Sequence, residues 1–237
     1  MNDQKEIEQK ELHYFNQLIF TLKQDLSKMV DALNSKDKIK NDWIDVFKRS
    51  DKKRQNSDFA RGAERVYFWL LNQFGKPNSS PIGADLMFET YDAFVHIDIK
   101  TAKLKNNSDY KGKVPVSENQ TSYYSKNFNG KLPFFYSVKE ETKESVKKIC
   151  LTYILNIIYD ETKNFEILAI ILISIPNGFL KKIYGDKIIN AGKIKNKSFR
   201  FNYKNSPSFK LLKDKPKRYK FLFLKPNYNE VFFTGLN

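Results

Sequence analysis

Cysteine is almost missing from this 237-residue chain: Cys150 stands alone, so no intrachain disulfide framework exists and a reducing compartment fits best. Histidine is nearly as scarce. His13 and His96 are the only two, and with one cysteine they cannot assemble a structural zinc site of the Cys/His type. Any bound metal must therefore be held by carboxylates. No long apolar run occurs either: residues 165–175, with Glu166 inside, reach about half of the ~20 residues needed to span a bilayer. The opening MNDQKEIEQK has neither the apolar stretch nor the small-residue cleavage site of a secretion signal. These absences give the expectation of a cytoplasmic protein. The preference for Lys, Asn and Ile over Arg and Gly has the bias of an AT-rich genome.

What is present is an adequate core and an excess of one charge. Hydrophobic residues make up 41% of the chain and aromatics 15%, enough to offset the entropy of ordering. At this length a single elaborated domain, 1–237, is expected. The 42 Lys and Arg against 27 acids give a net +15, which suits a polyanionic partner. Genome bias discounts part of that excess.

The elements read as helices first and mostly strands afterwards. Leu12, Phe15, Ile19, Leu22, Leu26, Met29 and Leu33 alternate spacings of three and four, the seam of a helix packed along a neighbour, either the chain's own core or a second copy. A short helix over 37–48 and a charged linker over 49–54 complete an N-terminal helical region, 1–50. A third helix, capped by Asp58 and ended by Gly75 and Pro77, carries Phe59, Ala63, Val66, Tyr67, Leu70, Leu71 and Phe74 at helical spacing. The period then changes, and 84–90 and 94–100 read as two strands of a hairpin. Residues 101–131 read as a polar excursion carrying one short helix. The stretches 146–159 and 165–175 read as long central strands, with shorter strands at 198–203, 218–224 and 231–234. The pattern is mixed α+β, or mixed α/β, with a central sheet flanked by helices.

An acid, any residue, then lysine occurs seven times, and six copies lie in polar helical or loop sequence. The seventh, Asp98-Ile99-Lys100, closes the apolar strand 94–100. Alternation there puts His96, Asp98 and Lys100 on one face and Val95, Ile97 and Ile99 on the other. Asp85 begins the partner strand, so a tight hairpin brings a second carboxylate to the same end. Converging carboxylates repel, and a divalent cation is the simplest relief. A lysine beside them supplies positive charge for a phosphate oxygen or an attacking water. Glu89 and His96 share faces with these acids as secondary candidates.

Asp85 with Asp98-Ile99-Lys100, on consecutive strands after a helix, resembles the PD-(D/E)XK nuclease superfamily, and type II restriction endonucleases in particular, over residues 58–125, the catalytic core segment. The usual proline before the first acid is replaced by Ala84. The resemblance implies a restriction-endonuclease-like mixed sheet, Mg2+ held by Asp85, Asp98 and the Ile99 carbonyl, and Lys100 positioning or activating the water. Glu64, on the preceding helix, matches a glutamate that many members add to the catalytic set. The products implied are a 5′-phosphate and a 3′-hydroxyl. Gln120 and Tyr124 match a Gln-x-x-x-Tyr spacing of the exonuclease branch. Asn119 and Gln120 are also candidate base readers, because an amide pairs with both N6 and N7 of adenine.

The positive charge is concentrated. Residues 178–225 hold fifteen Lys and Arg against Asp186 and Asp214, which is +13 of the net +15. Tyr184, Phe199, Phe201, Tyr203, Phe209 and Tyr219 are interleaved with them. This basic segment is the expected DNA grip, with Lys193, Lys195, Lys197 and Arg200 as candidate phosphate contacts. The expectation is thus a Mg2+-dependent type II restriction endonuclease that acts on double-stranded DNA as a homodimer, with no membrane role. A repair or mobile-element nuclease of the same superfamily, or a DNA-binding protein without catalysis, remain alternatives at this level.

Overall fold

A computed structural model of the chain describes residues 2–35, 59, 62–64, 66, 67, 71, 85–139, 145–162, 164–205 and 207–236. The helix expected at 37–48, the linker at 49–54, and the cap and end of the third helix lie outside these.

Two strands form the spine of the molecule. β7 (Ser145–Asp160) and β8 (Glu166–Ile175) are antiparallel neighbours, and from Cys150 to Tyr159 and from Ile167 to Ile175 every residue is buried. A strand buried over consecutive residues must be covered on both faces, which is why these segments read as unbroken Ile, Leu and Tyr runs without polar alternation. The sheet order is β1-β2-β7-β8-β11, with β6 (Phe135–Lys139) pairing the start of β7. β1 (Leu86–Glu89) is antiparallel to β2 (Ala93–Lys103), β2 runs parallel to β7, and β11 (Tyr219–Leu224) is antiparallel to β8. The sheet is therefore mixed, as the sequence suggests.

One face is covered by helix. α1 (Asn2–Gln24) and α2 (Leu26–Asn34), interrupted at Asp25, pack on β7, β8 and β11. Phe15, Leu22, Met29 and Leu33 of the expected seam are buried, together with Ile7 and Leu18, and Phe15 stacks on Tyr153 of β7. This corrects the idea that the seam joins two copies: the apolar stripe is used up by the chain's own sheet. Phe59, Ala63, Tyr67 and Leu71 are also helical and buried, with Phe59 against Tyr159 and Phe165.

A second, three-stranded sheet, β3-β10-β9, is formed by Val114–Ser117, Ser198–Phe201 and Ile189–Ala191. The polar stretch 101–131 is more ordered than its composition suggests. It extends β2 to Lys103, then supplies β3, two short 3-10 turns and the small hairpin β4–β5 (Tyr124–Ser125 with Phe128–Asn129). These short strands escape a reading by hydrophobic run because two to four residues are too few to show a period. The expected strand at 231–234 is a helix, Glu230–Thr234. Asn229 caps it through the Phe232 N–H, and Gly235 at φ 63° ends it. A local cap prevails there over the β-propensity of Val and Phe.

A wholly buried polar cluster joins α1 to the sheet. Arg218 is 0% exposed, its guanidinium lies 2.5 Å from Glu11 Oε2 and 3.3 Å from Glu8 Oε1, and it sits between the Phe209 and Tyr184 rings. Glu8 also accepts from the Leu211 N–H, and Glu11 from the Asn177 N–H. Every charge is thus paired and hydrogen-bonded, the condition under which buried ions are tolerated.

Candidate active site

The register of the first hairpin builds the site. The β1–β2 ladder begins with Leu86 opposite Ile97, and Asp85 immediately precedes it. Asp85 Oδ2 accepts a hydrogen bond from the Ile99 N–H at 2.6 Å, which lays its carboxylate against the middle of β2, and its charge bears on Asp98. Asp98 is 1% exposed, while Lys100, two residues on and partly exposed, pairs with Asp98 Oδ2. The parallel partner β7 is the reason for this burial: Asp98 sits beside Ile154 and Lys100 beside Asn156, so the middle of β2 is walled by a fully buried neighbour, and the strand runs on to Lys103 instead of closing at Lys100.

The electrostatics are those of a strained carboxylate. Burial pushes the Asp98 pKa from 3.8 to about 7; Lys100 pulls it down, and the charges of Asp85 and Glu64 push it up again. Glu64 is helical and half-buried, and its influence on Asp98 places its charge near the same centre. The sequence candidates Asp85, Asp98, Lys100 and Glu64 therefore act on one point.

The side-chain donors at this point are hard carboxylate oxygens. Such donors suit Mg2+ or Mn2+ and not softer metals. Among the described residues no three acidic, histidine or cysteine side chains form a ready-made cage. Two carboxylates fit an ion that keeps several waters and completes its shell with substrate phosphate, as Mg2+ does. Asp98, whose burial outweighs the pull of Lys100 on its charge, is the group such an ion would relieve.

The secondary candidates fall elsewhere. Glu89 pairs with Lys148 at 2.9 Å, at the far end of β1. His96 is fully buried, burial lowers its pKa to about 4, and neither ring nitrogen has a hydrogen-bond partner, so it packs as a neutral ring beside Tyr136. Gln120 is turned inward instead of toward a groove: Nε2 donates to Asp98 Oδ1 at 2.5 Å and Oε1 accepts from the Ser117 N–H at 2.8 Å. Its neighbour Asn119 is half-buried in the same 3-10 turn, Glu118–Gln120. Tyr124 is partly exposed and stacks on Phe134, so of the Gln-x-x-x-Tyr pair only the glutamine reaches the acids.

The basic segment divides into struts and a rim. Lys193, Lys195 and Lys197 are exposed on the turn joining β9 to β10, with Lys193 paired to Asp109 at 2.7 Å. Arg200 is turned to the base of this hairpin, where it binds Asp109 Oδ1 and the Ala191 carbonyl. The interleaved aromatics Tyr184, Phe199, Phe201, Tyr203, Phe209 and Tyr219 are all buried beneath the basic surface. Sequence reasoning missed Glu8, Glu11 and Asp109 as the acids that neutralise part of this charge. Their partners lie far along the chain, and no local pattern links them.

A mixed sheet with two neighbouring carboxylates and a lysine against the middle of β2 defines a restriction-endonuclease fold. The chain resembles the BglI restriction endonuclease bound to its DNA recognition sequence with a TM-score of 0.63 and 16% identity, covering 84% of this chain and 87% of that one. It resembles the tetrameric restriction endonuclease SfiI bound to cognate DNA with a TM-score of 0.64 and 12% identity, over 84% and 79%. Residues 3–164 match the N-terminal domain, and 167–224 the central domain, of the type II restriction enzyme MwoI, and the chain belongs to that family. The boundary between the two matches falls in the turn between β7 and β8, adjacent strands of one sheet. No curated protein matches the chain.

Proposed function

We propose that the protein cleaves duplex DNA at a specific sequence, with Mg2+ held by Asp85, Asp98 and the Ile99 carbonyl. The observation that carries this reading is the approach of Asp85 to Asp98 against the middle of β2, with Asp85 bound to the Ile99 N–H and Lys100 on the Asp98 carboxylate. When bound, the ion supplies Lewis-acid stabilisation of the charge that develops on the scissile phosphate. Lys100, which pairs with Asp98 beside this centre, would orient the attacking water. Glu64 adds a third negative charge that favours the cation. The exposed hairpin over 192–197 and its lysines contact phosphates and set the protein on the duplex. Two copies acting together supply one such centre to each strand, which supports a homodimer as the working unit.

Incubation of a long DNA with Mg2+, followed by sequencing of the ends, tests the reading. A recurrent sequence at every end is expected; smears or progressive trimming from ends would overturn site-specific cleavage. Lys100→Ala should reduce cleavage by about 100-fold or more while leaving duplex affinity within a few-fold.

A further inference from the structure

The Asp98 carboxylate has a second partner besides Lys100, and that partner is itself fixed from behind. Gln120 is 7% exposed and its amide is committed at both ends, to Asp98 Oδ1 and to the Ser117 N–H. The 3-10 turn that carries it is closed reciprocally, because the Ser117 side chain accepts from the Gln120 N–H. The turn is then held by the second sheet. Ser117 ends β3, where it pairs with Ser198 of β10, and the Glu118 N–H donates to the Lys197 carbonyl at 2.9 Å.

A glutamine in this position has a definite chemical consequence. With Oε1 taken by the Ser117 N–H, the amide can present only its N–H2 to Asp98, and an N–H donor is satisfied by the ionised carboxylate. By occupying Oδ1 on a known side it also fixes the rotation of the carboxylate and so the direction in which the remaining lone pairs point. Groups that hydrogen-bond a metal-ligating carboxylate tune both its orientation and its affinity.

We propose that Gln120 is a positioning residue that aims the Asp98 carboxylate at the divalent ion and is braced by the β3–β10 ladder. The proposal rests on Asp98 being a metal ligand, as argued above. Gln120 touches neither substrate nor ion and acts only through Asp98.

The test is calorimetric titration of the protein with Mn2+ alone, without DNA, on the wild type, Gln120→Leu and Gln120→Met. The leucine removes both hydrogen bonds. The methionine keeps the unbranched length and fills the same space without a donor to Asp98 or an added charge, so it reports the same point if the leucine variant does not fold. Both variants should bind Mn2+ about 10–100-fold more weakly than wild type. Cleavage should recover toward the wild-type rate as Mn2+ is raised, a split that mere loss of structure does not give. Wild-type affinity in a folded variant overturns the role of Gln120 and leaves the metal site standing. A wild type that binds no Mn2+ overturns the metal site, and the positioning role falls with it.

Discussion

At the scale of single residues, Asp98, the metal ligand proposed above, also burdens the fold. Its pKa rises from 3.8 to about 7 on folding, so the folded state favours the protonated acid. Without a divalent ion, ionising it costs stability as pH climbs from about 4 to about 7, after which the cost levels off. Asp98→Asn should therefore stabilise the metal-free protein at pH 8, by up to about 4 kcal/mol for a shift of this size, and by little at pH 5. Thermal melts at the two pH values check this, and equal effects at both would refute it. Divalent ion should raise the melting temperature of wild type at pH 8 and not that of the variant. Asp98-Ile99-Lys100 was legible in the sequence because a charged pair leaving an apolar strand is rare. Gln120 was legible only as a spacing, because its contact with Asp98 depends on a turn that folds back over the middle of β2.

At the scale of elements, the basic stretch performs two jobs that composition alone cannot separate. Arg218 is buried against Glu8 and Glu11 and fastens α1 to the sheet. Arg218→Ala leaves two buried carboxylates without their cation and should cost about 3–5 kcal/mol in urea unfolding. Lys195 and Lys197 lie exposed on the β9–β10 turn. Replacing both with Ala should leave unfolding unchanged but lower the slope of log affinity against log salt by about 2, since each phosphate that a lysine neutralises adds about 0.9 to that slope. An unchanged slope would remove this hairpin from the DNA interface. The long strands and α1 were readable because ten or more residues display their period. The strands β3, β4, β5, β6 and β9, the 3-10 turns and the helix Glu230–Thr234 were not, since caps and cross-strand partners decide segments of that length.

At the scale of the whole molecule, the N-terminal seam is internal to the fold. Leu18 is fully buried in it, so Leu18→Asp should abolish cooperative unfolding and not yield a folded monomer. If two copies act together, sedimentation should report a dimer on a duplex carrying the site. Supercoiled plasmid should then pass to linear without a build-up of nicked circles; persistent nicking would argue for single centres acting alone. None of the helices among the described residues is long and apolar enough to cross a membrane. The sequence by itself determined the class: the charge balance, too few Cys and His for a Cys/His zinc site, the mixed α+β order and the acid and lysine on one apolar strand all follow from residue type and period. Tertiary structure alone decided which acids meet, which cations are buried as struts and which face solvent. Those outcomes depend on strand register and on the packing of residues far apart in the chain, and a local pattern carries no information about either.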